Sequence, residues 1–217
     1  VQPGDGGEIQ PHPASVFPGD RGGGAAGAGE PGAGGKHLEK VIRLDRQLKY
    51  QGTILKIYED TVMANGHEAR WDFIHHNGAA AVVPVTADGK ILMVRQYRNA
   101  LDRFTLEIPA GALDFAGEPK IDCAYRELEE ETGFRTEKLE YLISVHTTVA
   151  FCDEAIDIFV ARNLIPSKQH LDEEESLEVE AWDVKGLHEL IYKGEIPDGK
   201  TIAAIMAYSQ KYLCGKE

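Results

Sequence analysis

The spacing of apolar and polar positions changes several times along the chain. "TILKIYEDTVM" and "ARWDFIHH" both read as strands. Between them "ANGHE" supplies Asn65-Gly66, a pair that accepts left-handed backbone and so predicts a tight hairpin. "KVIRLDRQL" predicts a third strand beside it. "AAAVVPV" and "KILMVRQYR" predict two strands joined around Asp88-Gly89, and "LISVHTTV", "IDIFVARNL" and "LEVEAWDV" predict three more. Helical spacing predicts helices over residues 119–132, 186–193 and 201–213. The first is expected to be capped near Gly117 or Glu118, with Pro119 in its first turn and Gly133 as its stop. Strands and helices do not alternate as regular βαβ units. The fold class expected is therefore mixed α/β, a mixed sheet flanked by helices. No internal repeat is visible.

The first helix carries an unusual load of acid: Glu127, Glu129, Glu130 and Glu131. At about 100° per residue, Ile121, Ala124, Tyr125 and Leu128 share one side, which is expected to face the core. Glu127, Glu130 and Glu131 fall beside that side within an arc of about 100°, while Glu129 points away toward solvent. Three converging carboxylates repel one another unless something positive binds. Hard divalent cations take oxygen ligands, and Mg²⁺ favours carboxylates together with substrate phosphates. Arg126 is placed to reach Asp122 or Glu130 and orient a carboxylate. An ordinary solvated acidic face is the alternative.

Composition narrows the function. The 217 residues carry a formal net charge of −13, which argues against non-specific binding to nucleic acid or anionic membranes. An anionic substrate stays possible because a bound cation inverts local charge. The 42% hydrophobic content supports a core. Residues 1–35 differ from the rest: they hold half of the ten prolines and just over half of the 23 glycines. We read them as a disordered segment, either an over-extended start or, alternatively, a flexible functional arm. Cys123, Cys152 and Cys214 have no metal spacing and are odd in number, so a reducing, cytoplasmic setting is expected. No run approaches the ~18 apolar residues of a membrane span, and no signal-peptide pattern is seen.

The order of residues around the acidic helix says more than its acidity. Glu118, then seven residues, then Arg126-Glu127-Leu128-Glu129-Glu130-Glu131-Thr132-Gly133-Phe134 closely resembles the second part of the Nudix hydrolase signature. The family pattern leaves five residues between its glycine and first glutamate. Here six separate Gly111 from Glu118, with Ala112 at the expected glycine position, so the loop is one residue longer. The resemblance covers roughly residues 52–212 and implies a Nudix-type α/β/α sandwich with an N-terminal antiparallel β-extension. It divides the chain into the segment 1–35, a β-strand dimerisation region over 36–76 and a Nudix domain over 77–217.

"VRQYRNALDRFTLEIPAG" looks like the stretch that leads into this signature in ADP-ribose pyrophosphatases. That resemblance implies that the Ala110 carbonyl, Glu127, Glu130 and Glu131 hold Mg²⁺, with Mn²⁺ as a substitute, and that Arg98 contacts the substrate diphosphate. Taken alone, Arg98 could equally form a surface ion pair with Asp102 or a neighbour. "ARWDFIHH" resembles the segment whose aromatic residue stacks on adenine, which maps onto Trp71; a lone Trp on a strand is more often core. His75 and His76 would face opposite sides of the sheet and are not a ready metal pair. In "LDEEESLEVEAW" the register places a water-activating glutamate at Glu175, with Glu173 or Glu174 as alternatives, and Glu130 shares in catalysis. One departure is "TTVAFCDE", where Val149 and Ala150 stand in place of Pro and Gly.

The activity implied is Mg²⁺-dependent hydrolysis of a nucleoside diphosphate sugar, ADP-ribose first, to AMP and ribose 5-phosphate, by a homodimer. The rivals are hydrolysis of another nucleotide, such as GDP-mannose, ADP-glucose, a dinucleoside polyphosphate or reduced NAD, and a non-catalytic ADP-ribose sensor.

Overall fold

In the computed structural model, residues 40–171 and 176–214 are described, all within the unit Glu39–Glu217. The expected disordered segment and the glutamates Glu173, Glu174 and Glu175 lie outside the described residues.

Three strands open the described chain. β1 (Ile42–Gln51) pairs antiparallel with β2 (Lys56–Ala64), which pairs with β3 (His67–His75). Asn65 and Gly66 both take left-handed backbone, with φ 51° and 77°, so Ala64 and His67 sit opposite each other across the expected hairpin. The sheet buries one acid, Asp60. The Arg46 guanidinium meets both of its oxygens at 2.6 Å and lies 3.6 Å above the Phe73 ring. An ionised carboxylate taken from water needs such a partner.

The central sheet is built on β4 (Ala79–Pro84), which is buried along its whole length. Ala79, Ala81 and Val83 face one core, and Ala80 and Val82 face a second. Successive side chains point to opposite faces, so an apolar run with no alternation means a strand covered on both sides. β5 (Ile91–Arg98) and β6 (Arg103–Glu107) form a hairpin whose turn holds Asp102 at φ 52°. The short β7 (Ala110–Ala112) then pairs antiparallel with β4. Helix α1 (Lys120–Thr132) follows, capped at Pro119 rather than the expected Gly117 or Glu118, with no side-chain cap bond. Gly133 ends it in the left-handed region at φ 69°.

β8 (Phe134–Arg135) pairs later with β11 (Ile165–Pro166). β9 (Leu139–His146) and β10 (Ala155–Ala161) complete the central sheet in the order β7-β4-β10-β9, with β10 parallel to β4. β12 (Leu177–Trp182) adds to β5, and α2 (Val184–Tyr192) and α3 (Gly199–Tyr212) close the chain. α1 covers one face of the central sheet through Cys123, Ala124 and Leu128. Leu187 of α2 and Ala204, Ile205 and Tyr208 of α3 pack on the other side, together with Ile91 and Met93 of β5. The expected mixed α/β sandwich is what forms. Among the described residues no helix is long and apolar enough to cross a membrane.

The core face of α1 is turned from the one the wheel assigned. Ile121 is exposed, whereas Cys123 is fully buried beside Ala124 and Leu128, and Tyr125 is half-buried at the edge. The rotation follows from the carboxylates, since Glu127 and Glu131 also lie on the inward side.

Candidate active site

The acidic helix meets the start of β7. Glu131 is 3% exposed, and its Oε2 accepts the Ala110 amide at 2.8 Å. Glu127 is 8% exposed and lies against Gly111: a Cβ on that glycine would come within 2.0 Å of Glu127 Oε1. The missing side chain is therefore what lets a carboxylate approach the strand. Glu130 is half-buried one turn along. Glu129, expected to be solvated, is also half-buried and accepts the Ser167 hydroxyl.

Arg126 balances this charge. Its Nη1 donates to Glu127 Oε1 at 2.6 Å and to Glu130 Oε2 at 3.0 Å, and its Nη2 donates to the Ala112 carbonyl at 3.1 Å. Asp114 is 3.2 Å from the guanidinium. Of the two partners expected for Arg126, Glu130 is engaged and Asp122 is not. Burial works against the charge on this guanidinium, and the Glu127 and Glu130 carboxylates outweigh it and raise its pKa. Its Nε is buried with no hydrogen-bond partner among the described residues, 3.7 Å from Glu118 Oε1. Cys123 lies behind, its Sγ 3.6 Å from the Gly111 and Ala112 carbonyls. Burial, then the Glu127 charge, pushes its thiol up to about 12.

In the loop before α1 the Asp114 amide donates to Glu118 Oε2 at 2.7 Å and Gly117 turns at φ 92°. Gly111 itself stays in β7, against Glu127.

The donor set suits a hard divalent cation: three carboxylates, and a backbone carbonyl within reach of the same helix, with no sulfur or imidazole in the set. As they stand, no three His, Cys, Asp or Glu side chains among the described residues are arranged to hold a metal ion. The Arg126 guanidinium is bonded to Glu127 and Glu130, and Glu131 is held by the Ala110 amide. The residues fit a cation once Arg126 releases a carboxylate oxygen.

Arg98 ends β5 and lies in an ion pair, but not with Asp102. Its Nε and Nη2 donate to Glu107 Oε1 and Oε2 at 2.8 and 2.6 Å. Asp102 is taken by the Tyr97 hydroxyl at 2.5 Å. Burial pushes the Glu107 carboxyl up, but Arg98, Lys200 and Thr105 outweigh it and hold the group at about 2. Sequence reasoning missed Glu107 and Lys200. The signal available was a charged residue inside the apolar run "FTLEIPAG", which must find a partner if the run is buried.

Trp71 is not core. It is 48% exposed on β3 and lines a groove of about 750 Å³ with Ile57, Ile74, Ala150 and Phe151. No residue of α1 or β7 lines that groove. His75 Nδ1 is 2.7 Å from Asp153 Oδ2, and His76 Nδ1 is 3.4 Å from Glu154 Oε1.

The description of the NUDIX domain matches residues 75–205, which include β7, α1, Arg98 and Lys200. The chain belongs to the NUDIX family. Among curated relatives of this NUDIX protein, an ADP-ribose pyrophosphatase from Bacillus subtilis (strain 168) is 38% identical over 84% of this chain and 96% of its own. A methanol dehydrogenase activator from Bacillus methanolicus is 36% identical over 77% of this chain and 90% of its own. The crystal structure of an ADP compounds hydrolase superposes with a TM-score of 0.72 at 21% identity, covering 81% of this chain and 96% of that one. At that identity the superposition speaks for the NUDIX fold alone.

Two outcomes follow from this geometry. Gly111→Ala should push the flexible Glu127 carboxylate off β7 while leaving the strand intact. Turnover of the family's nucleotide substrates should then fall on the order of 10²-fold, the effect of an ångström-scale misplacement, with melting temperature lowered by only a few degrees, about 2–4 °C per kcal/mol at this size. Steady-state kinetics and a thermal melt check it; unchanged turnover would show that the contact is incidental. For Glu107 the folded pKa lies below the ordinary value of 4.5, so its charge stabilises the fold above that value and the contribution is lost as pH falls toward 2. The difference in unfolding free energy between wild type and Glu107→Gln should be on the order of 3 kcal/mol at pH 7 and close through that acid window. Urea unfolding across pH measures it, and a gap independent of pH would exclude the charge as its source.

Proposed function

We propose that the protein is a Mg²⁺-dependent hydrolase of nucleoside diphosphate sugars, with ADP-ribose as its substrate and AMP and ribose 5-phosphate as products. The observation that carries this is the pair of buried glutamates on α1, Glu131 bonded to the Ala110 amide and Glu127 packed on Gly111, with the Arg126 guanidinium already in place on Glu127 and Glu130. Similarity to a curated ADP-ribose pyrophosphatase along most of both chains supports the choice of substrate. Glu127, Glu130, Glu131 and the Ala110 carbonyl would hold the cation, and Mn²⁺ could replace Mg²⁺. When bound, the cation supplies charge neutralisation for the diphosphate and lowers the pKa of a water at the reacting phosphorus.

The chain's own groups supply the rest. Arg98 presents part of its guanidinium to the diphosphate while Glu107 fixes the other edge. The exposed Trp71 offers a face for the base, with Phe151 across the same groove. Glu175, whose role comes from the resemblance in its register, takes the proton from the attacking water, with Glu173 and Glu174 as alternatives. β1 carries Ile42, Leu44, Leu48 and Tyr50, each at least half exposed, and a second copy of the chain would cover them, making the strands before residue 77 a dimerisation region.

Product analysis across a panel of nucleotide sugars tests the reading. AMP and ribose 5-phosphate should appear from ADP-ribose with Mg²⁺ and not in excess chelator. Glu131→Gln should lower turnover on the order of 10²-fold or more while the fold persists, because a charged metal ligand is lost. Light scattering on the same samples should give twice the chain mass. Cleavage that survives excess chelator, or a panel with no cleavage at all, would overturn the proposed chemistry; a single-chain mass would overturn the dimer.

A further inference from the structure

Glu107 is 3% exposed and holds two cations. Arg98 takes the carboxylate by two bonds, and Lys200 Nζ, from the first turn of α3, donates to Oε2 at 2.5 Å. Thr105 Oγ1 completes the set on Oε1 at 2.7 Å. Lys200 is itself held, since its Nζ also donates to Asp198 Oδ2 at 2.9 Å. Asp198 caps α3 by accepting the Thr201 amide and hydroxyl, and the fully buried Thr201 oxygen accepts the Ile108 amide at 3.0 Å. The first turn of α3 is thus fixed to the link between β6 and β7. A cleft of about 370 Å³ is lined by Arg98, Glu107, Asp198 and Lys200 among others.

We propose that Lys200 is a positioning residue for Arg98, acting through Glu107 to hold the guanidinium in the orientation that receives the substrate diphosphate. The proposal rests on the nucleotide-sugar reading above for the ligand but on this geometry for the device. A carboxylate bonded only to Arg98 could rotate with it, because both bonds move together. With Oε2 also held by Lys200 and Oε1 by Thr105, the plane of the carboxylate is fixed, and the arginine fork must align to it.

The test uses the full chain as Lys200→Met, Lys200→Arg, Arg98→Ala, the double variant Arg98→Ala/Lys200→Met and, for resonance assignment, Arg98→Lys. In ¹⁵N-labelled protein the Arg98 Nε–Hε resonance, identified by its loss in Arg98→Lys, should shift or broaden in Lys200→Met and return in Lys200→Arg. For ADP-ribose, or whichever nucleotide sugar the panel shows to be cleaved, Lys200→Met should raise KM about tenfold with kcat within about twofold. The double variant should show the KM of Arg98→Ala alone, since residues acting in one chain are not additive. A folded Lys200→Met protein with an unmoved Arg98 resonance overturns the proposal, as do additive effects on KM. If wild type cleaves nothing in the panel, the functional reading falls, and the resonance still decides the positioning role.

Discussion

The hydrogen bond from the Ala110 amide to Glu131 is the contact on which the site's geometry hangs. Residues 108–110 link β6 to β7 between two helices, and their backbone groups are met from several sides. The Ile108 amide goes to Thr201 of α3, Pro109 has no amide to satisfy, and the Ala110 amide goes to Glu131 of α1. The Pro109 carbonyl accepts the Val82 amide of β4. Buried backbone donors left without partners would cost ~1–3 kcal/mol each, so this segment cannot shift without breaking bonds to one helix or the other. A carboxylate that answers a strand amide also has its position defined before any ligand arrives.

That definition carries an electrostatic cost, and the sequence meets it with a small number of cations. In a chain of net charge −13, Arg126, Arg98 and Lys200 are each tied to a buried acid of the site region. Such pairs add little stability over an apolar core, because desolvation offsets most of the attraction. What they add is direction. Arg126 keeps Glu127 and Glu130 from driving each other apart, and Glu107 fixes one edge of the Arg98 guanidinium. Preorganised charge of this kind is useful to a reaction that moves negative charge between phosphate oxygens.

Much of this was legible in the sequence, and the parts that were not have physical reasons. The Asn65-Gly66 turn, the Gly133 stop and the long strands follow from backbone preferences that depend on few neighbours. β6 and β7 escaped because they are short and Pro109 lies between them, so neither shows a usable alternation. Ile121 was placed in the core because a wheel weighs an apolar side chain above an acid, whereas here Glu127 and Glu131 take the inward positions. The partner of Arg98 could not be read either: Glu107 reaches it across a hairpin and Lys200 joins from 93 residues away. Local spacing carries information about which face a residue shares. It carries none about which distant element comes to meet that face.

The separation of Trp71 from α1 has a consequence for how such a protein diversifies. The groove beside Trp71 is built where β3 meets the segment before β10: the Ile74 amide donates to the Phe151 carbonyl at 2.7 Å, and the Asp153 amide returns to Ile74 at 3.2 Å. His75 and Asp153 close the same seam. Val149 and Ala150 lie in this seam, and Val149 is 83% exposed. Changes there reshape a surface that would take the ring of a substrate, and they leave untouched the bonds that set Glu127, Glu131 and Ala110. On the proposed function, recognition would vary at an exposed loop while the buried contacts of the acidic helix stay fixed, as expected where function is carried by sites on a shared scaffold.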